Sequence, residues 1–67
     1  MVTTRRTDDV WQCYVAEEYV GIIYLNLSRY QYVFEPLKGI HLNASLLHGV
    51  AELMFQLEHE RRKLARG

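Results

Sequence analysis

The sequence predicts a small α+β domain in which a three-stranded antiparallel β-meander is followed by one long C-terminal α-helix (βββα). Between residues 10 and 35, segments rich in aromatic and β-branched residues alternate with short polar stretches, as is typical of strands joined by hairpin turns. From residue 43 to 65, apolar residues recur at helical spacing. A chain of 67 residues has room for one domain, which we place at residues 10–67.

The first nine residues differ from the rest in lacking any apolar periodicity. They combine threonines with two arginines, Arg5 and Arg6, and two aspartates, Asp8 and Asp9. Chain ends of this composition are often poorly ordered. We therefore expect residues 1–9 to form a flexible N-terminal arm.

Three strands are predicted after this arm. Residues 10–16 alternate in polarity, and residues 19–25 are apolar on both faces, which suits a central strand. Residues 30–35 form the third strand, which Pro36 ends because proline has no N–H to donate to the sheet. Residues 40–42 are a candidate for a short extra edge strand.

Pairing these strands as a meander predicts which side chains share a face. One face collects Trp11, Cys13, Val15, Val20, Ile22, Tyr24, Gln31, Val33 and Glu35. The other collects Tyr14, Tyr19, Ile23, Leu25, Tyr30, Tyr32 and Phe34. In this register Gly21 lies opposite Phe34, where its missing side chain leaves room for the ring.

The predicted helix has two apolar stripes. Asn43 is a suitable N-cap residue, and the main stripe consists of Leu46, Leu47, Val50, Leu53, Met54, Leu57 and Leu64. A second stripe is formed by Ala44, His48, Ala51, Phe55, His59 and Arg62. If the helix packs through its main stripe alone, Phe55 is left exposed.

Composition and charge argue against several functional classes. Eight basic and eight acidic residues cancel, so no overall field favours nucleic acid or an anionic membrane. The longest apolar run, residues 19–25, is far shorter than the roughly 20 residues that span a bilayer. No apolar segment follows the N-terminal arginines, as a signal peptide would require. With one cysteine and no disulfide partner within the chain, we expect a cytoplasmic protein.

The residues that carry catalytic chemistry are few. His48 and His59 lie about 16 Å apart along one helix, too far to share a metal ion within one chain, although two copies related by a two-fold axis could bring them together. His41 has no evident partner. Cys13 lies in an apolar strand, which favours a buried thiol over a nucleophile. The chain has no glycine-rich phosphate loop and no paired-cysteine motif. We expect no enzymatic activity, catalytic residues, metal or cofactor.

Association with other proteins is the function that the sequence favours. Two apolar sheet faces and a helix with two stripes exceed what one helix and one sheet of this size can bury, and exposed apolar surface of this kind marks interfaces. We expect a homodimer or higher even oligomer that also binds a protein partner, as small modulators encoded by phages, plasmids and other mobile genetic elements do. The predicted interface residues are Phe55, His48, Ala51, His59, Tyr30, Tyr32 and Phe34.

Nucleic-acid binding is the alternative hypothesis. Tyr30, Tyr32 and Phe34 on one strand resemble the aromatic platforms on which single-stranded bases stack. Basic residues that can contact phosphates lie mainly near the two ends of the chain: Arg5, Arg6, Arg61, Arg62, Lys63 and Arg66. The same residues near a helix C-terminus also complement its dipole, so they do not by themselves indicate nucleic acid.

Overall fold

The structure, a computed structural model, describes residues 2–66, with the side chains of residues 2–64. A four-stranded antiparallel sheet in the order β1-β2-β3-β4 is followed by one helix. The elements are β1 (Val2–Thr7), β2 (Val10–Val15), β3 (Glu18–Asn26), β4 (Gln31–Pro36) and α1 (Ala44–Arg66). The α+β class and the single C-terminal helix are confirmed, and the prediction of three strands is one too few.

The additional strand comes from the segment expected to be a flexible arm. Residues 2–7 pair with β2 along their whole length, from Val2 opposite Val15 to Thr7 opposite Val10. Valine and threonine favour strands, but every β1 side chain except that of Val2 is exposed. An exposed edge strand therefore shows no apolar alternation, which is why the sequence pattern does not reveal it.

A β-bulge in β3 changes the predicted faces. Cys13 pairs with Gly21 but Tyr14 pairs with Tyr19, so Val20 is an extra residue in β3. An extra residue turns every later side chain of the strand to the opposite face. The predicted faces are therefore wrong for the residues that follow the bulge. Relative to β2, each of them lies on the face opposite to the predicted one: Ile22, Tyr24 and Val33 in one set, and Ile23, Leu25, Tyr32 and Phe34 in the other.

The predicted pairing of Gly21 with Phe34 is also wrong. Phe34 pairs with Ile23, and Gly21 pairs with Pro36. The ring of Phe34 nevertheless lies against Gly21, because a Cβ atom on Gly21 would be 2.9 Å from Cε1 of Phe34. Gly21 has a φ of 154°, so it is both crowded and in a conformation that favours glycine.

The core lies between α1 and one face of the sheet, which we call the covered face. The buried hydrophobic residues are Cys13, Val20, Ile23, Leu46 and Val50, of which Cys13 and Ile23 are fully buried. Partly buried side chains surround them: Val2, Trp11, Val15, Tyr32, Phe34, Ile40, Leu53, Met54 and Leu57. Most of the predicted main stripe of the helix therefore packs on the sheet, whereas Leu47 and Leu64 are 47% and 81% exposed.

The helix begins as the sequence predicts and crosses the sheet diagonally. Asn43 caps it, since its Oδ1 accepts a hydrogen bond of 2.8 Å from the N–H of Leu46. Its first turns contact β1, where a Cβ atom on Gly49 would lie 2.6 Å from Cγ2 of Val2. Residues 40–42, the candidate edge strand, form no strand, and Ile40 instead packs on the core.

Candidate functional site

The face of the sheet that α1 does not cover, which we call the open face, combines apolar and aromatic side chains with polar ones. Side chains alternate between the two faces along each strand, so the residues next to the core-facing ones belong to the open face. They come from all four strands. Six of them are apolar or aromatic and half-buried: Val10, Tyr14, Tyr19, Ile22, Tyr24 and Val33. An uncovered face of an antiparallel sheet is more often polar, so this composition is unusual for a surface in water.

The tyrosines of the open face form a partly ordered layer. The rings of Tyr14 and Tyr19 lie with their centroids 5.7 Å apart in a tilted arrangement. The hydroxyl of Tyr14 donates a hydrogen bond of 3.3 Å to Oε1 of Gln12. Rings with polar tips bury large areas while keeping their hydroxyls bonded, which suits a contact surface.

A second uncovered surface is the outer helix stripe, made of Ala44, His48, Ala51, Phe55, His59 and Arg62. Phe55 is 72% exposed, as predicted for a helix that packs through its other stripe. Nε2 of His48 lies 3.1 Å from Oε1 of Glu52, an i,i+4 contact on the exposed surface. The position of this stripe fits the predicted interface, and its role in association stays a prediction.

The three aromatic residues predicted to share a strand face are separated in the structure. Tyr32 and Phe34 lie on the covered face and pack against the core, where the ring of Tyr32 meets that of Trp11 edge-on at 5.7 Å. Tyr30 precedes β4 in a turn, with a φ of 53°, and is 63% exposed. The three rings therefore form no common stacking platform in this fold.

Two of the basic residues proposed as phosphate contacts lie over aromatic rings. The guanidinium of Arg6 is 5.2 Å from the ring centroid of Trp11, and its Nε donates to the carbonyl oxygen of Asp8 at 3.1 Å. The guanidinium of Arg61 is 5.3 Å from the ring centroid of Tyr30, and its Nη2 donates to the carbonyl oxygen of that residue at 2.9 Å.

The remaining basic residues of that set are distributed over different surfaces. Arg5 lies on the open face, because its neighbour Arg6 lies on the covered face beside Trp11. Arg62 and Lys63 are exposed near the helix C-terminus, and the side chain of Arg66 lies outside the described residues. Arg6 and Arg61 lie at the same end of the sheet, where the β1–β2 and β3–β4 turns are found.

An open groove of about 600 Å³ runs between the β2–β3 turn and the start of α1. Its floor is apolar, with Val2, Val15, Val20, Ile40 and Leu46, and its rim is polar, with Glu18, His41, Asn43, Ser45, His48 and Glu52. Within residues 2–64, no three side chains of metal-binding type come together. The groove therefore offers shape and polarity but no assembled metal centre.

Cys13 is unsuited to nucleophilic chemistry. Its side chain is fully buried, and its Sγ lies 3.7 Å from the carbonyl oxygen of Trp11. Burial raises the pKa of the thiol to about 11, because the thiolate would lose its hydration. The thiol therefore stays protonated at neutral pH, in agreement with its interpretation as a small apolar core residue.

The open face is the surface that sequence reasoning assembled incorrectly. It combines Tyr14 and Tyr19 from one predicted face with Ile22, Tyr24 and Val33 from the other. The signal that could have corrected the assignment is Gly21 inside an apolar strand, because an isolated glycine there often marks a bulge.

Comparison of the sequence and fold with known protein families, curated proteins and solved structures finds no match to this chain. Among the described residues, no helix is both long and apolar enough to cross a membrane. Function is therefore inferred from the surfaces of the molecule themselves.

Proposed function

We propose that this chain is a protein-association module that forms a homodimer or higher even oligomer and also binds a protein partner. The observation that supports the proposal is the open face, which lies opposite the single helix and is covered by no described segment of the chain. A sheet face that no helix covers and that carries six half-buried apolar or aromatic side chains is a candidate interface.

The surface area of the chain agrees with an unsatisfied interface. A compact monomer of 7.9 kDa is expected to expose about 4,400 Å², whereas this chain exposes 5499 Å². The exposed area thus exceeds the expected one by about 1,100 Å². Part of this excess belongs to the helix, because its 23 residues extend about 34 Å and reach beyond strands that mostly span about 20 Å. A sheet that is packed on one side only is consistent with the remainder.

The two uncovered surfaces lie on opposite sides of the molecule and suit two separate contacts. The open face is broad and only half-exposed, which favours another flat sheet. The outer helix stripe is narrow and centred on the protruding ring of Phe55, which favours insertion into a groove. A small module with two such surfaces resembles a modulator that dimerises and docks on a larger protein, and a phage, plasmid or other mobile element is a fitting source for one.

The solution mass is the direct test of this proposal. Multi-angle light scattering over a concentration series at low and high salt should show a species of at least twice the chain mass. Apolar contacts should preserve this species at high salt, because salt screens charges and not apolar burial. A monomer at every concentration would contradict self-association.

Nucleic-acid binding is a second proposal, supported by the position of Arg6 and Arg61 at the same end of the sheet, near its opposite edges. This end also contains the exposed Arg29, Arg62 and Lys63. Binding to single-stranded and duplex oligonucleotides should then fall steeply with salt, because phosphate contacts release counterions. Replacing Arg62 and Lys63 with glutamate should abolish such binding, and an unchanged affinity would contradict the proposal.

A further inference from the structure

We infer that the open face binds the open face of a second copy, with a two-fold axis parallel to the strands, so that β1 of each copy lies over β4 of the other. This inference rests on the self-association proposed above and specifies its geometry. It follows from the order of the side chains across the sheet, and in particular from the positions of two opposite charges.

One row of paired residues crosses the open face from edge to edge. Arg5 pairs with Gln12, Gln12 with Ile22, and Ile22 with Glu35. All four point away from the helix, since their strand neighbours Arg6, Trp11, Cys13, Ile23 and Phe34 belong to the covered face. The row therefore begins with a positive charge at the β1 edge and ends with a negative charge at the β4 edge.

This row is complementary to itself when its order is reversed. If two stacked sheets keep their strands aligned, as in most sandwiches, the two-fold axis between them lies either along the strands or across them. An axis along the strands reverses the row, so Arg5 of each copy meets Glu35 of the other. An axis across the strands instead brings Arg5 over Arg5 and Glu35 over Glu35, which like-charge repulsion disfavours.

The adjacent row gives an apolar contact under the same symmetry. Thr7 pairs with Val10, Val10 with Tyr24, and Tyr24 with Val33. When this row is reversed, the central residues Val10 and Tyr24 of the two copies cover each other. In the first row, Gln12 of one copy meets Ile22 of the other. The amide oxygen of Gln12 already accepts a hydrogen bond from the hydroxyl of Tyr14 in its own chain. The centre of the contact thus combines the amide of Gln12 with apolar and aromatic side chains, and its edges carry the charges.

The size of the open face predicts a modest affinity. Four strands about 4.8 Å apart and about 20 Å long give a projected area of about 400 Å² per copy. Even with the relief of the side chains, this is a small contact compared with the roughly 800 Å² per partner of standard interfaces. A dimer of this kind should dissociate on dilution, so that its dissociation constant can be measured directly.

The two charges are too far apart to compensate each other within one chain. Arg5 and Glu35 are separated by three strand spacings, about 14 Å, whereas the screening length at physiological salt is about 8 Å. Any mutual compensation between substitutions at these two positions must therefore arise between chains.

The test is a charge reversal at each edge of the row. In Arg5→Glu, two glutamates meet across the interface, and in Glu35→Arg, two arginines meet. Each variant should weaken the dimer at least about ten-fold in analytical ultracentrifugation at low salt, because two symmetry-related contacts change from attraction to repulsion. The double variant Arg5→Glu/Glu35→Arg should regain the affinity of the unaltered protein.

Mixing the two single variants provides an independent readout. The Arg5→Glu chain carries a negative charge at both ends of the row, and the Glu35→Arg chain carries a positive charge at both ends. The mixture should therefore form a heterodimer tighter than either homodimer. Arg29→Glu and Glu60→Arg are matched controls, because they make the same changes in net charge at exposed positions outside the open face. These controls should leave the dissociation constant unchanged.

The outcomes distinguish this geometry from the wider proposal. A dimer that tolerates both reversals, or that the double variant does not restore, would overturn the inference while leaving self-association intact. A monomeric unaltered protein would contradict both. If a reversed variant fails to fold, an equimolar mixture of Thr7→Cys and Val33→Cys chains should be joined by a short bis-maleimide, whereas either chain alone should not. Cross-linking of either chain alone, or none in the mixture, would overturn the inference.

Discussion

Replacing Gly21 with alanine tests the packing of the sheet at its most crowded backbone position. The added Cβ atom would lie 2.5 Å from the carbonyl oxygen of Glu35, 2.9 Å from Cα of Pro36 and 2.9 Å from Cε1 of Phe34. Two of these three atoms belong to the backbone of β4. The strand must therefore move, since a rotation of the Phe34 side chain relieves only one of the contacts.

The expected loss of stability follows from two separate effects. Overpacking of a close contact costs about 1–3 kcal/mol, and a non-glycine residue at an unfavourable positive φ costs about 1–3 kcal/mol. The sum, about 2–6 kcal/mol, is a large part of the roughly 3–10 kcal/mol that stabilises a domain of this size. Gly21→Ala should therefore be partly unfolded at room temperature or lose most of its resistance to urea.

Urea denaturation followed by far-UV circular dichroism measures this loss, at one fixed chain concentration because association adds to stability. Gly39→Ala is the matched control, since Gly39 has a φ of 90° but no atom within 4 Å of its Cβ position. It should lose only the conformational part, about 1–3 kcal/mol. Equal losses in the two variants would refute the packing argument, and a neutral Gly21→Ala would refute the bulged register of β3.

Three further predictions concern the hairpin, the thiol and the outer helix stripe. Ala16 and Glu17 form the β2–β3 turn with φ values of 50° and 68°, and Asn-Gly is the preferred pair where both turn residues have positive φ. Ala16→Asn/Glu17→Gly should therefore raise the free energy of unfolding by about 1 kcal/mol. A decrease would contradict the assigned turn. Burial raises the pKa of the Cys13 thiol from 9.0 to about 11. The stability that the protonated, buried thiol contributes should therefore be complete below pH 9 and be lost as the pH rises towards 11. Cys13→Ala should lack this part of the pH dependence. Phe55→Glu should preserve helix content and the open-face dimer while removing binding to a protein partner or assembly beyond the dimer, and loss of the dimer would place Phe55 at the self-association contact.

The elements that depend on local sequence could be predicted. The helix is predicted by its apolar periodicity and by Asn43, whose side chain bonds the N–H of Leu46 three residues later. Pro36 is the last residue of β4, as expected for a residue that cannot donate to the sheet. Exposure of Phe55 follows from the same periodicity, because a straight helix presents only one side to the sheet.

The incorrect predictions, such as the flexible arm at residues 1–9 and the faces of the later strands, concern features that pairing between strands decides and local sequence pattern does not. β1 shows no apolar signal because its environment is mostly solvent on both faces, and it forms because β2 offers an unpaired edge. The turn at residues 16–17 places two non-glycine residues in the left-handed region, which local preference disfavours. Its backbone twist matches the paired strands, so the hairpin as a whole outweighs the preference of the two residues.

The sequence by itself determined the α+β class, the position and cap of the helix, and an excess of apolar residues over what one helix can cover. The tertiary structure decided which residues form that excess. One extra residue at Val20 reverses the direction of every later side chain in β3, and it thereby places Tyr32 and Phe34 under the helix and leaves Ile22 and Tyr24 on the open face. A pairing register is a property of two strands together, because a shift of one residue costs little locally but exchanges the buried and exposed sets.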